Sequence, residues 1–253
     1  MLSFTEFGET SPDRPPLIIA HGLYGSGRNW GVIAKRLSDT RRVITPDMRN
    51  HGHSPRGDTQ TYEDMADDLA ELIAHIGGLV DLCGHSMGGK AVMVMALRHP
   101  QLLRRLVVGD IAPVGYSHSQ SHHIHAMRAV DLETVTRRSD AAEQLGAQGI
   151  EPALQSFFTQ SLDVAGKRWL LNLDVLEAQM DAIIGFPQVQ GQFDSPALFL
   201  SGGNSDYVRP EHRAAIKSLF PKARFAKLPN AGHWLHAERP REFEATVRMF
   251  LDA

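Results

Sequence analysis

One pentapeptide constrains this chain more than any other feature. Gly84-His85-Ser86-Met87-Gly88 stands between an apolar run, Leu79-Val80-Asp81-Leu82-Cys83, and a helix-like run, Gly89-Lys90-Ala91-Val92-Met93-Val94-Met95. A serine between a buried strand and a helix needs a tight turn, in which side chains at the flanking glycines would clash. Such a turn lifts the serine hydroxyl clear of the strand and sets it at a helix N-terminus. The partial positive charge there favours a developing anion. The competing reading is a glycine-rich turn with an incidental serine. The strand, turn and helix in register favour Ser86 as a nucleophile.

Such a turn requires a sheet whose strands are each followed by a helix, and the remaining sequence has that rhythm. Short apolar runs occur at Leu17-Ile18-Ile19-Ala20, Arg42-Val43-Ile44-Thr45, Leu79 to Cys83, Leu106-Val107-Val108 and Ala197-Leu198-Phe199-Leu200. Their length and few polar interruptions fit strands covered on both faces, as in a parallel sheet. Helices are expected at Trp30 to Leu37, Tyr62 to His75 and Lys90 to Arg98. In the second of these Met65, Leu69, Leu72, Ile73 and Ile76 recur at helical spacing. Right-handed βαβ units follow.

The rhythm breaks after Val108. Between Ala112 and Phe193 no strand is expected, but helix-like stretches occur at His123 to Val130, Ala141 to Leu145, Glu151 to Ser161 and Asp174 to Ile184. The strand pattern resumes at Ala197. A helix Arg213 to Phe220, a strand Ala223 to Leu228 and a helix Glu242 to Leu251 close the chain. The expected fold class is α/β. Residues 1–111 and 194–253 would form a mostly parallel sheet flanked by helices, and 112–193 a helical lid inserted between two late strands. Ligand sites of open α/β sheets lie at the carboxyl edge that such a lid would cover. A length of 253 residues suits one such domain.

Composition removes other classes. The formal charge of -3 counts against a generic nucleic-acid binder. No apolar run approaches the roughly 20 residues that span a bilayer. The segment Met1 to Gly8 lacks the basic start and apolar stretch of a secretory signal, so a cytoplasmic location is expected. Cys83 is the one cysteine, which excludes an internal disulfide, and its apolar surroundings mark it as strand packing.

A hydroxyl nucleophile needs a base poised near neutral pH, which selects histidine. His233, in Asn230-Ala231-Gly232-His233-Trp234-Leu235, lies in a loop between the last expected strand and the last expected helix. A histidine last in chain order, after serine and acid, suits this arrangement. His236 is expected to point elsewhere, and His85 to support the turn. The acid stays open between Asp110, which ends one strand, and Asp206, which follows another. Acyl transfer also needs two N–H groups aimed at the oxyanion. Met87 follows the nucleophile. Leu23 lies in His21-Gly22-Leu23-Tyr24-Gly25-Ser26, directly after the first apolar run. His21 reads as a loop-shaping residue.

These blocks resemble the YbfF-type acyl esterases and their mitochondrial α/β-hydrolase relatives. The resemblance rests on Gly84 to Lys90, on Asp47-Met48-Arg49-Asn50-His51-Gly52-His53-Ser54, and on Asp110-Ile111-Ala112-Pro113-Val114. It rests also on Gly202-Gly203-Asn204-Ser205 and Ala231-Gly232-His233-Trp234. Together they span nearly the whole chain in order. The elbow and the late histidine are common to many α/β-hydrolases; the Asp110 and Gly202 blocks are more specific. The resemblance implies the α/β-hydrolase fold and esterase or thioesterase activity on small-molecule acyl substrates, without a cofactor. It matches Asp110 to the acid and Ser205 to a fourth member of the catalytic group. The chain departs from the pattern at Asp206, where a non-acidic residue is expected.

Other chemistries compete with ester hydrolysis. Carbon–carbon bond hydrolysis or a lyase step could use the same fold. A non-catalytic binding relative is opposed by the intact serine, histidine and candidate acids. Epoxide hydrolase and dehalogenase chemistry wants an aspartate where Ser86 stands. The Asn50 to Ser54 block reads as a structural loop near the site. The histidines between Ser117 and His125 read as a polar lid hinge; with no Cys or acidic ligand among them, no metal site is expected. Trp30, Phe158, Trp169 and Trp234 are candidate substrate-binding residues, with Phe157 and Phe186 as further aromatics that could line an acyl pocket.

Overall fold

The computed structural model describes residues 1–117 and 119–253. Its first half alternates strand and helix: β1 (Phe4–Phe7), β2 (Leu17–Ala20), α1 (Gly31–Leu37), β3 (Val43–Pro46), α2 (Tyr62–Ile76), β4 (Val80–His85), α3 (Met87–Arg98) and β5 (Leu103–Gly109). A mostly helical segment follows: α4 (Ser121–Arg128), α5 (Arg138–Ala147), α6 (Pro152–Phe158), β6 (Leu162–Asp163), β7 (Arg168–Trp169), α7 (Leu173–Ala178) and α8 (Met180–Ile184). The chain then returns through β8 (Ala197–Gly202), α9 (His212–Leu219), β9 (Ala223–Leu228), α10 (Leu235–Glu238) and α11 (Pro240–Asp252).

Seven strands form one sheet in the order β1-β3-β2-β4-β5-β8-β9. All neighbours pair in parallel except β1, which runs antiparallel to β3 with Phe4 opposite Pro46. The central strands β2, β4 and β8 are buried along their whole length. Their side chains divide between two cores by the two-residue strand period. Ile18, Leu82, Leu106, Val108 and Phe199 face one way, with Met65, Leu69 and Leu72 of α2 and Val92 and Met95 of α3. Ile19, Cys83, Val107, Leu198 and Leu200 face the other way, with Ile33 and Leu37 of α1 and Phe243 and Val247 of α11.

Helix α2 shows how local signals set such an element. Thr61 caps it by accepting the Asp64 N–H at 3.2 Å, and Glu63 and Asp64 complement the positive end of its dipole. Every buried residue of the helix falls on one stripe, Met65, Ala66, Leu69, Leu72 and Ile73 beside Tyr62.

The amino-terminal edge of the sheet is closed by charge. Asp81 of β4 is fully buried and accepts from Arg41 at 2.7 Å and from Arg104 at 2.9 Å. Arg104 also donates to Leu251 O at 2.9 Å, and Arg41 pairs with Asp252, so the cluster ties α11 to the strands.

Two expectations from the sequence need correction. The stretch between Ala112 and Phe193 is not free of strand: β6 and β7 form a small antiparallel hairpin, Leu162 opposite Trp169. Two-residue strands leave no periodicity to read. The antiparallel edge strand β1 was also not among the expected strands. Its four residues are half-buried or exposed and lack an apolar run.

Candidate active site

Ser86 follows β4 directly and precedes the first residue of α3. Its backbone is left-handed, with φ 53° and ψ -120°, a strained conformation that a surrounding structure must hold in place. The flanking glycines explain how the turn closes. A Cβ on Gly84 would stand 2.3 Å from Gly88 O, and one on Gly88 would stand 2.4 Å from both Ala20 O and His21 O. No side chain larger than hydrogen fits either place.

Three segments converge on this turn. His233 comes from the loop between β9 and α10, and its Nε2 lies 3.1 Å from Ser86 Oγ. Its Nδ1 lies 2.8 Å from Asp110 Oδ2. Asp110 follows β5 with φ 48° and is fully buried. Its Oδ1 accepts the Gly202 N–H at 3.0 Å, and its Oδ2 also accepts the Ser205 hydroxyl. The structure therefore brings Ser86, His233, Asp110 and Ser205 into one hydrogen-bonded chain. Asp206 is not in it. Its side chain is 79% exposed and pairs with Arg209 at 3.2 Å. The one-residue step from Ser205 to Asp206 turns the carboxylate away from the cleft.

The imidazole is braced beyond these contacts. Tyr207 stacks on its face with ring centroids 3.9 Å apart and an interplanar angle of 18°. His85 Nε2 donates to His233 O at 2.7 Å. Burial pushes His85 well below the ordinary histidine range, so it holds that loop as a neutral donor. His236 packs flat on Trp30 at 4.2 Å, and burial lowers it to about 3.

The loop after β2 is shaped by two further buried histidines. His21 Nδ1 donates to Gly22 O at 2.8 Å, and its Nε2 accepts the Met48 N–H at 2.9 Å. His51 Nε2 accepts the Tyr24 N–H at 3.2 Å. Desolvation lowers His21 to about 4 and His51 to about 3, so both act as neutral struts. They fix the segment that carries Leu23. The Asn50 to Ser54 block is thus a support for the site. Met87 opens α3, where N–H groups have no intrahelical acceptor. Leu23 and Met87 both border the same cavity as Ser86.

That cavity has a volume of about 280 Å³. Trp30, Phe157, Phe158 and Trp234 border it, together with Leu154, Ile183 and Ile184 from the helical segment. Trp30 is 1% exposed and forms its back, whereas Trp234 is 37% exposed and stands at its rim. Trp169 does not line it. Its indole N–H donates to Met127 O at 2.9 Å, and the ring is buried in the same cluster as Met127 and Leu162. Phe186 packs near Tyr62, with ring centroids 6.4 Å apart, outside the lining.

Several lining residues were not expected at the pocket from sequence: Tyr24, Tyr62, Tyr116, Tyr207, Lys90, and His123, which was read only as part of a polar hinge. Only Lys90 had a positional signal, one helical turn beyond Ser86. Of the histidine-rich stretch, His118 lies outside the described residues. His122, His123 and His125 fall in the first turns of α4, not in a hinge. Among the described residues, no group of three or more His, Cys, Asp or Glu side chains could hold a metal ion. Among them, too, no helix is long and apolar enough to cross a membrane.

Known proteins of similar sequence share this fold. The profile of the alpha/beta hydrolase family matches residues 17–246. The chain is 42% identical over 250 residues to the mouse "sn-1-specific diacylglycerol lipase ABHD11", covering 94% of this chain and 81% of that one. It is 38% identical over 240 residues to "Esterase YbfF" of Escherichia coli, covering 94% and 93%. A solved structure titled "Marine microorganism esterase" superposes with a TM-score of 0.91 at 37% identity, covering 98% of each chain. With its parallel sheet, its serine turn and a match over most of its length, the chain belongs to the alpha/beta hydrolase family.

Proposed function

We propose that this protein hydrolyses carboxylic esters or thioesters of small to medium acyl chains through an acyl-enzyme. The observation that carries the reading is the hydrogen-bonded chain from Ser86 Oγ to His233 at 3.1 Å and from His233 to Asp110 at 2.8 Å. The relatives named esterase and diacylglycerol lipase support ester substrates.

In this mechanism Ser86 Oγ attacks the acyl carbonyl while His233 Nε2 takes its proton. The tetrahedral oxyanion lies against the N–H groups of Leu23 and Met87, near the positive end of α3. His233 then protonates the leaving alcohol or thiol, and the same base activates the water that releases the acid. Asp110 accepts from Nδ1, which presents Nε2 to the serine and stabilises the imidazolium. Ser205 and the Gly202 N–H hold that carboxylate. No step calls for a cofactor. Residues 112–193 act as a lid over the carboxyl edge of the sheet; Phe158, Ile183 and Ile184, which border the cavity, support that role.

The test is turnover of p-nitrophenyl acetate and butyrate, with fluorophosphonate labelling and mass spectrometry of the labelled peptide. Ser86→Ala should abolish labelling and reduce turnover on the order of a thousandfold or more, with the fold intact. Retention of a tenth of the parent activity would remove Ser86 from the nucleophile's role.

A further inference from the structure

Lys90 is the only lysine or arginine bordering the cavity among the described residues, and its side chain is 1% exposed. It stands one turn after the nucleophile, its N–H bonded to Ser86 O at 3.0 Å. Among the described residues no carboxylate pairs with it. Its Nζ instead donates to Ile184 O at 2.8 Å and to Gly185 O. Two aromatic faces cover it, Tyr116 at 4.8 Å and Tyr62 at 5.7 Å. Burying an ammonium without an opposite charge is costly. Burial accordingly pulls Lys90 from 10.5 down to about 7. A methionine would fill similar space without that cost, so the charge needs another reason.

The reason lies at the end of α8. The last carbonyls of a helix lack intrahelical donors and carry the negative end of its dipole. Here three successive carbonyls are taken by groups from elsewhere in the chain. Ile183 O accepts the Tyr62 hydroxyl of α2. Ile184 O accepts the Tyr116 N–H at 3.0 Å and Lys90 of α3, and Gly185 O accepts Lys90 again. Ile183 and Ile184 border the cavity. The ammonium thus joins one wall of the cavity to the helix that carries the nucleophile.

We propose that Lys90 is a specificity-determining positioning residue: it fastens the end of α8 to the nucleophile helix, fixes the Ile183–Ile184 wall, and so limits the acyl chain that reaches Ser86. The inference rests on the ester-hydrolase reading above. Lys90 touches none of the reacting atoms. It acts through the wall it holds.

The experiment compares Lys90→Met with the parent on p-nitrophenyl butyrate and octanoate, and follows amide hydrogen exchange in α8 and α11. Loosening the wall should move the ratio of kcat/KM towards octanoate by about tenfold, within what a few methylenes in an apolar pocket are worth. The change should appear in KM rather than kcat. Exchange at Ile183 and Gly185 should rise at least tenfold while α11 stays protected. Lys90→Gln keeps a neutral donor and should give a smaller shift in the same direction; it serves if the methionine variant does not fold. A folded variant with an unchanged ratio overturns the proposal, as does exchange that rises equally in α8 and α11, which would reduce Lys90 to general packing. If the parent turns over no ester and Ser86 takes no label, the selectivity claim falls with the functional reading, and exchange alone decides the fastening.

Discussion

Two fully buried aspartates, one in β4 and one just beyond its neighbour β5, are treated in opposite ways. Asp81, in β4 at the amino edge of the sheet, is met by two guanidinium groups, Arg41 and Arg104. Asp110, beyond the carboxyl end of β5, is met by an N–H, a hydroxyl and an imidazole, none of them a permanent cation. Both arrangements satisfy the oxygens. Only the second leaves room for a positive charge to appear during a reaction, on His233. A buried carboxylate already neutralised is scaffold, whereas one bound only by dipoles is prepared for a partner that becomes charged.

The sharpest way to break this contrast is to remove the two charges with minimal change of shape. Asp110→Asn should leave folding nearly intact and lower kcat on the order of a thousandfold to ten-thousandfold, because the wrong tautomer of His233 would face Ser86. The same change at exposed Asp206 should leave kcat/KM within about twofold and stability within about 0.5 kcal/mol. A larger loss at Asp206 than at Asp110, in parallel ester assays, would reverse the assignment.

Asp81→Asn should invert the pattern. Breaking a buried pair costs about 3–5 kcal/mol, since two arginines lose their counter-charge. Urea denaturation should show that loss, while the activity per folded molecule stays near the parent's. A stable Asp81→Asn protein with crippled turnover would mean that the amino edge is coupled to the chemistry.

Ser205→Ala sharpens the comparison at its finest point. The hydroxyl is one of three donors to Asp110. Hydrogen bonds to charged groups are worth about 1.5–3 kcal/mol, so a loss of roughly tenfold to hundredfold in kcat is expected. An unchanged kcat would make Ser205 a loop residue and leave the Gly202 N–H as the carboxylate's main fixed support.

The contrast also explains what could be read from the sequence. Glycine, serine and glycine between strand and helix carry their geometry with them, because Gly84 and Gly88 admit no side chain. The buried strands announced themselves as apolar runs, and α2 by its stripe. Asp110 and Asp206 could not be separated by the residues alone. Both stand just past a strand, and what divides them is the direction of one side chain in a turn. Trp169 and Phe158 were likewise equal as large aromatics in the same segment; only packing put one against Met127 and the other against the cavity. Lys90 stood out only by its place a turn after Ser86; its partners could not be read, since the carbonyls it meets lie 94 and 95 residues away. The hairpin β6–β7 and the edge strand β1 were too short to show a period.

The hydrogen bond between Ser86 and His233 spans 147 residues of sequence, and that between His233 and Asp110 spans 123. Contacts so distant in the chain are made only after much conformational entropy has been surrendered. The elbow itself needs β2 beside it, since Gly88 packs against Ala20 O and His21 O. The proposed site is therefore complete only when β8 is paired with β5 and β9 with β8, which brings His233 to the carboxyl edge. Without those pairings Ser86, the proposed nucleophile, would have no base beside it.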